Sequence, residues 1–528
     1  MGDVELILIL LFVSVAGLNG LAHWVGVPYP ILLVLGGLIL GFAPGVPNVE
    51  LDPDLVLVLF LPPLLYSAAF FTDLRSLRDN ARPLSLNAIG LVLLTTVVVA
   101  VLAHEVIGMT WAVAFALGAI VSPTDPVAAT AIMRRVGAPR RVVNFVEGES
   151  LFNDASALVA YRVAVAAAVG GSFSLIDASL EFVGGAAGGI AIGLAVGYVV
   201  AAIRRRLEDP TTEITISLFT GYAAYLPAAE LGLSGVLAAV TAGIYLGWRA
   251  SELISPATRI QAFGTWEVLT FLINAVLFML IGLQLPAIVD GLAGVPWQEP
   301  VGYAALVVAA VIGTRFLWAF TMPYVIRALD RRPQQRLRRV GARERIVISW
   351  SGMRGAVSLA AALALPLETD AGAPLPDRDL VLFITFAVIL VTVVGQGLTL
   401  PALIRRLGIG EDSGDDERNE ELRARLTAAK AAIDALNQLE AEEWTRDDSI
   451  ERTRALYEFR KRRFAAQAGK IEDDGIEDRS LTFQRMMHIV YGAQRQALVA
   501  LRNNGEISSE VMRRIERELD LEESRLEV

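Results

Sequence analysis

Apolar residues run in blocks of about twenty along residues 1–410, each block ended by a short polar turn. Lipid offers no partner for backbone N–H and C=O groups, so such blocks cross a bilayer only as helices that satisfy their own backbone. The blocks predict roughly thirteen spans, near 4–22, 29–43, 54–71, 83–103, 111–133, 142–168, 175–203, 213–228, 233–248, 260–289, 301–326, 346–366 and 380–404. Residues 411–528 carry a different pattern. After an acidic linker, EDSGDDERNE (411–420), apolar residues such as Leu422, Leu426, Ile433 and Leu436 fall at helical spacing among charges. This predicts water-exposed helices over 420–443, 448–469, 479–503 and 507–526. The expected division is a transmembrane domain at 1–410 and a helical tail at 411–528.

The turns orient the spans. Arg75, Arg78 and Arg82 follow the third span, Arg134, Arg135, Arg140 and Arg141 the fifth, Arg204 to Arg206 the seventh, and Arg249 and Arg259 the ninth. Eight arginines lie between Arg327 and Arg345 after the eleventh, and Arg405 and Arg406 close the thirteenth. The alternate turns hold only Arg378 and no lysine. Basic turns mark the cytoplasmic side, so the N-terminus is expected outside and the tail in the cytoplasm of a cell held by its plasma (inner) membrane. Asp3 and Glu5 stand where a signal peptide would be positive, so the first block reads as a span and not a leader.

Composition agrees. Of 528 residues 54% are hydrophobic and 19% charged, below the quarter or so usual for soluble proteins. The absence of cysteine excludes disulfide frameworks and zinc-thiolate sites, and the three histidines, His23, His104 and His488, are too scattered for a typical metal cluster. The tail's 28 acidic and 20 basic residues supply most of the net charge of −10, which gives nucleic-acid binding no support. No nucleotide-binding P-loop and no Asp-rich magnesium repeat occurs, so ATP-driven pumping and prenyl transfer lack their parts, and neither an enzyme nor a resident cofactor is expected.

Three polar groups lie where lipid-embedded helices should be apolar, and an ionisable residue there must be paired, hydrated or used. The first is Ser122-Pro123-Thr124-Asp125-Pro126-Val127 in the fifth span. Two prolines three residues apart interrupt the helix, freeing carbonyls and starting a second half-helix with its positive end beside Asp125. The plainer alternative is a kink that Asp125 merely caps. The second group is Glu147-Gly148-Glu149-Ser150-Leu151-Phe152-Asn153-Asp154 in the sixth span. Glu149 and Asn153 are four apart, as are Ser150 and Asp154, so two polar strips line one face. Hard oxygen donors of this kind suit Na+ or another hard cation. The third is basic: Arg315 in the eleventh span and Arg354 in Ser351-Gly352-Met353-Arg354-Gly355-Ala356 of the twelfth. A guanidinium keeps its proton, so a buried one needs a permanent carboxylate. Glu149 is the candidate partner for one of the two, which leaves Asp154 as the group that titrates. The alternative for Arg315 is snorkelling to the interface. Glu181, Glu213, Glu230 and Glu267 stand singly or near span ends and read as interfacial or structural.

An interrupted fifth span and a Gly-rich twelfth occupy matching places if spans 1–6 and 8–13 form inverted halves, the pattern of a secondary transporter with a midplane site. A desolvated aspartate that holds either a proton or a small cation is itself an exchange device. Residue 153 is asparagine and no lysine precedes Lys430, so one titrating carboxylate per cycle predicts one-for-one, electroneutral exchange. Na+ or Li+ against H+ is the favoured reading. K+/H+ antiport through the same site and a cation channel gated by the tail are the alternatives.

At these motifs the chain resembles the monovalent cation:proton antiporter family 1, the Na+/H+ exchangers. FLPPLL (60–65), TDPVAA (124–129), EGESLFND (147–154), SGVLAAV (234–240), WEVLTFLINAVLFMLIGL (266–283) and GMRGAVSLA (352–360) occur in that family's order, over roughly residues 1–407. The tail stretch RNNGEISSEVMRRIERELDLEE (502–523) is similar to tails of bacterial members. The resemblance implies a homodimer with an interface domain and a core that moves elevator-fashion. It also implies Na+ at Asp154, Ser150 and the backbone of Thr124, with Asp125 and Glu149 in support and Asn153 as the residue associated with electroneutrality.

Overall fold

A computed structural model of the chain describes residues 3–44, 53–170, 175–207, 209–292, 294–329, 341–409 and 413–526. The chain divides into two compact units, Met1–Glu411 and Asp412–Val528. Arg331, Arg332, Arg336, Arg338 and Arg339 of the basic turns lie outside the described residues.

The first unit opens with α1 (Asp3–Val25), α2 (Tyr29–Gly41), α3 (Pro53–Phe70) and the short α4 (Leu74–Asp79). Next come α5 (Ala81–Ser85) and α6 (Val92–Leu102), joined by a π-helical stretch at Leu86–Leu91 and extended by another at Ala103–Ile107. The half-helices α7 (Trp111–Val121) and α8 (Pro126–Arg135) precede the long α9 (Arg140–Gly170) and α10 (Leu175–Arg204). They are followed by α11 (Pro210–Glu230), α12 (Gly235–Trp248), α13 (Ala250–Leu253), α14 (Pro256–Leu283), α15 (Leu285–Asp290) and α16 (Gln298–Leu329). A second pair of half-helices, α17 (Ala342–Trp350) and α18 (Ala356–Leu363), leads to α19 (Arg378–Leu390), which a π-helical stretch at Val391–Gln396 joins to α20 (Gly397–Leu407).

Each of the thirteen expected segments thus falls on a helix or on a series of shorter helices. Seven described helical segments are long and apolar enough to cross a membrane by length and composition, and four shorter ones are apolar. Burial separates them. Of an 18-residue apolar stretch within the interrupted segment Trp111–Arg135, 72% is buried inside the protein, against 28% for the corresponding stretches of Val183–Arg204 and Gln298–Ile326. Apolar side chains on those outer helices, such as Val183, Tyr198 and Leu317, are exposed and suit contact with lipid. The π-helical stretches have no signature in hydrophobic spacing, so the fourth and thirteenth spans were expected as plain helices.

Local chemistry sets the helix ends. Asp125, Asp209 and Ser255 cap α8, α11 and α14 with their side chains, each followed by a proline whose missing N–H costs nothing in a first turn. Inside α3 the problem is reversed. Pro63 has no N–H for the carbonyl of Leu59, and the Tyr222 hydroxyl of α11 donates to that carbonyl at 2.6 Å. Where α2 crosses α14, Gly37 lies against the backbone of Met279 and Gly282 against that of Val34 and Leu38, so main chain meets main chain with no space for a Cβ on either side.

The second unit comprises α21 (Ser413–Leu439), α22 (Asp447–Gln467), α23 (Ile476–Asn503) and α24 (Ser509–Ser524). The expected linker is helical from Ser413, since an acidic run is compatible with the positive N-terminal end of a helix. Leu422 and Leu426 pack with Phe464, and Tyr491 and Leu498 with Met512 and Leu519. Ile433 and Leu436 are half-buried. Between α23 and α24, Arg495 binds Glu523 at 2.5 Å and Asp520 at 2.6 Å, and His488 Nδ1 lies 2.6 Å from Glu523. Hydrogen bonds from Arg495 and then His488 hold the Glu523 carboxyl below the usual carboxylate range.

Two outcomes are expected. Replacing Gly37 or Gly282 by Val should force α2 and α14 apart and cost about 1–3 kcal/mol. The detergent-purified protein should melt earlier, while Gly302→Ala, whose Cβ meets nothing, should melt no earlier than the parent. In the tail, the ordinary carboxylate value of Glu523 lies above its folded one. Its stabilisation is therefore complete above the ordinary value and lost as pH falls through the folded one. Hydrogen exchange across α24, referenced to intrinsic rates, should show protection falling on acidification less steeply in Glu523→Gln than in the parent.

Candidate functional site

The two interrupted spans meet at their breaks. The Asp125 N–H donates to the carbonyl of Met353 at 2.8 Å, tying one unwound segment to the other. The Asp125 carboxylate accepts from the N–H of Val127 at 2.9 Å, in the first turn of α8, and from the N–H of Ala356 at the start of α18. One side chain therefore caps two half-helices. Arg354 does the converse for the ends that stop there: its Nε donates to the carbonyl of Val121, last residue of α7, at 3.0 Å, and its guanidinium also donates to the carbonyl of Gly352. The Arg354 N–H is held by the hydroxyl of Thr392 at 3.1 Å. A negative group faces the positive helix ends and a positive group the negative ends, the favourable sense of both dipoles. Gly355 makes this possible, because any Cβ there would occupy the position of the Asp125 carboxylate.

Helix α9 supplies the other half of the site. Glu149 is 1% exposed and forms a bidentate pair with Arg315, which is 3% exposed, at 2.6 and 3.2 Å. The two-bond geometry and burial make this a strong, charge-assisted contact. Arg315 Nε also donates to the carbonyl of Ile348 at 3.2 Å. Glu149 accepts in addition from Asn87 Nδ2 at 3.3 Å, and Trp318 Nε1 holds the Asn87 carbonyl at 2.8 Å. The open choice between arginines is thereby resolved. Arg315 pairs with Glu149 and does not snorkel; Arg354 serves the helix ends. Asn87 and Trp318 are parts of this network that sequence reading missed. Asn87 sits on the π-helical stretch and carried no periodic signal.

One helical turn beyond Glu149, Asp154 is 7% exposed, and no ion pair or hydrogen bond to its carboxylate is formed among the described residues. Thr124, Asp125, Ser150 and Asp154 line one cavity of about 320 Å³. Asn153 does not line it. Its Nδ2 donates to the Thr124 hydroxyl at 2.8 Å, fixing the unwound segment to α9. The cavity continues past Phe71 and Thr72 to Arg134 and Glu147, which form an ion pair of 2.7 Å. Among the described residues no group of three or more acidic, His or Cys side chains is placed as a resident metal centre would require.

The other acids behave differently. Glu213 is buried, its carboxylate accepting from Thr258 Oγ1 at 3.2 Å and its backbone carbonyl from Arg204 at 3.1 Å. Glu230 and Glu267 are exposed, and the Glu181 side chain lies outside the described residues.

A family model described as "Sodium/hydrogen exchanger, transmembrane" matches residues 8–406. The chain belongs to the sodium/hydrogen exchanger family. It is 38% identical over 512 residues to an uncharacterized Na+/H+ exchanger of Mycobacterium tuberculosis, covering 96% of this chain and 93% of that one. It is 33% identical over 413 residues to a sodium, potassium, lithium and rubidium/H+ antiporter of Bacillus subtilis, covering 76% of this chain and 61% of the relative. A sodium proton antiporter from Methanocaldococcus jannaschii, solved at pH 8, matches with a TM-score of 0.58 at 19% identity. That match covers 78% of this chain and 100% of the other, and it shows a shared fold. This member of the exchanger family is accordingly an integral membrane protein with an all-helical antiporter fold.

Within this exchanger-family chain the buried pair is the costliest contact to break from one side. Glu149→Gln should leave the Arg315 charge unpaired and cost about 3–5 kcal/mol. The double variant Glu149→Gln/Arg315→Met should recover part of that loss, as read from melting of the purified protein. Asp154→Asn, which breaks no ion pair among the described residues, should melt with the parent.

Proposed function

We propose that the chain exchanges Na+ or Li+ for H+, one for one, with the two ions competing for Asp154. The observation that carries this reading is the contrast along α9: Glu149 is locked to Arg315, while Asp154 opens into the cavity, beside Ser150 and Thr124, without an ion-pair partner among the described residues. A buried carboxylate in that position is neutral when it holds a proton and nearly so when it holds a monovalent cation, and the site crosses a low-dielectric region only in a neutralised state. Ser150 Oγ and the backbone carbonyl of Thr124 are the oxygens that complete a hard-cation site beside Asp154. Asp125 and Arg354 hold the unwound segments that present them, and Asn153 ties Thr124 to α9 without adding a second charge. The cation is cargo and the protein needs no cofactor.

In this reading residues 1–410 form the antiporter domain, with thirteen crossings in inverted halves, and 411–528 a cytoplasmic tail. The N-terminus faces outward across the plasma (inner) membrane. The arginine-bearing turns then mark the inside, and the cavity, which reaches Arg134 and Glu147, is open to the cytoplasm. Alternating access follows an elevator path, in which α7, α8, α9, α17 and α18 travel as one body against the interface helices of a homodimer. K+ is the second candidate cargo, supported by the Bacillus subtilis relative whose name includes potassium.

Proteoliposomes with an imposed pH gradient test the reading. Na+ and Li+ should each drive proton movement, and Asp154→Asn should abolish it; full exchange by that variant would overturn the assignment. Adding K+ to the cation panel decides between the two cargoes. Moving one charge through 100 mV is worth about 2.3 kcal/mol, so a one-for-one cycle should keep its rate when a membrane potential is imposed, whereas a cycle that moves net charge should not.

A further inference from the structure

Helix α9 has a second working face. Ser150 and Asp154 look into the ion cavity, whereas Phe152, Ala155, Ser156 and Val159, spaced 3, 4 and 7 apart, line a separate crevice of about 270 Å³ on the opposite side. The far walls of the crevice come from α4, α5 and the π-helical stretch after it on one flank, and from Ala186 of α10 and Leu237 of α12 on the other.

The chemistry of the crevice is that of a fatty chain with one charged end. Its two wall hydroxyls are already committed: Ser85 Oγ donates to the Ala81 carbonyl at 2.7 Å and Ser156 Oγ to the Phe152 carbonyl at 3.3 Å. Water in a buried site needs two to four polar partners, and these walls offer almost none. The crevice also reaches the apolar outside of the protein. Ile89 lines it and is 42% exposed, and Val183, one turn from Ala186, is 63% exposed. Arg78 is the one charged residue among the described residues that line it, and neither Arg78 nor the nearby Arg75 has an ion-pair partner among the described residues. Both lie in a basic turn, where a guanidinium meets the phosphate layer of a bilayer.

We infer that this crevice holds one acyl chain of an anionic phospholipid, with the headgroup phosphate on Arg78 and the chain laid against the back of the ion-binding helix. The placement wedges a lipid between α9 and the α10–α12 pair. It does not depend on which cation the protein exchanges.

Native mass spectrometry of the delipidated, detergent-purified protein tests it, with phosphatidylglycerol and phosphatidylcholine of matched chains as probes. The parent should retain one phosphatidylglycerol per protomer in preference to phosphatidylcholine. Arg78→Ala should lower that preference about fivefold, the worth of one basic residue at a charged surface, and Arg78→Lys should restore it. Ala186→Phe fills the crevice and should abolish retention of both lipids, with Ala186→Leu as a smaller filling should the larger one fail to fold. The inference is overturned if the filled variants retain phosphatidylglycerol as the parent does, or if Arg78→Ala leaves the preference unchanged.

Discussion

The site depends on one electrostatic match. Two helices break at the same place, which exposes two helix starts with unsatisfied N–H groups and two helix ends with unsatisfied carbonyls inside an apolar protein. Asp125 answers the N–H groups of Val127 and Ala356, and Arg354 answers the carbonyls of Val121 and Gly352. Each break leaves buried N–H and carbonyl groups that cost free energy unless they are paired. Broken together, the two helices supply each other's missing partners. The tie from Asn153 to Thr124 then fastens the unwound segment to α9.

Glu149 and Asp154 of α9 divide their duties by what each touches. Glu149 is saturated: two bonds from Arg315 and one from Asn87 fix its position. Asp154, five residues on, meets cavity instead of a guanidinium. The same residue chemistry thus yields one carboxylate locked in an ion pair and another that faces open cavity. The difference lies in α16, which brings Arg315 to one strip of α9 and leaves the neighbouring strip open.

Much of this was legible in the chain because the effects are local. Prolines at 123 and 126 remove two backbone donors three residues apart and favour a break between them, and the four-residue spacing of Ser150 and Asp154 fixes a shared face whatever surrounds it. The arginine partner was not legible. Arg315 and Arg354 are both single cations in apolar spans, and only the reach of the Arg315 side chain from α16 to Glu149, with Asn87 carried in by a π-helical turn, separates them. Nor could spacing reveal that Gly355 is empty space reserved for the Asp125 carboxylate, since that requirement comes from a residue 230 positions away. The acidic stretch near 413 misled for the opposite reason: a run of like charges reads as a linker until its position at a helix start is known.

The bond from Tyr222 to the Leu59 carbonyl has a consequence of its own. A proline in a membrane helix leaves a polar notch in an otherwise sealed wall, and a notch is where water or a stray ion could creep between helices. Here the carbonyl that Pro63 cannot serve is taken up by a hydroxyl from the neighbouring helix, so the prolines of α3 leave that main-chain oxygen paired within the protein. An exchanger works only if nothing passes except in exchange. In an antiporter fold a main chain with its polar groups paired matters as much as the cavity it surrounds.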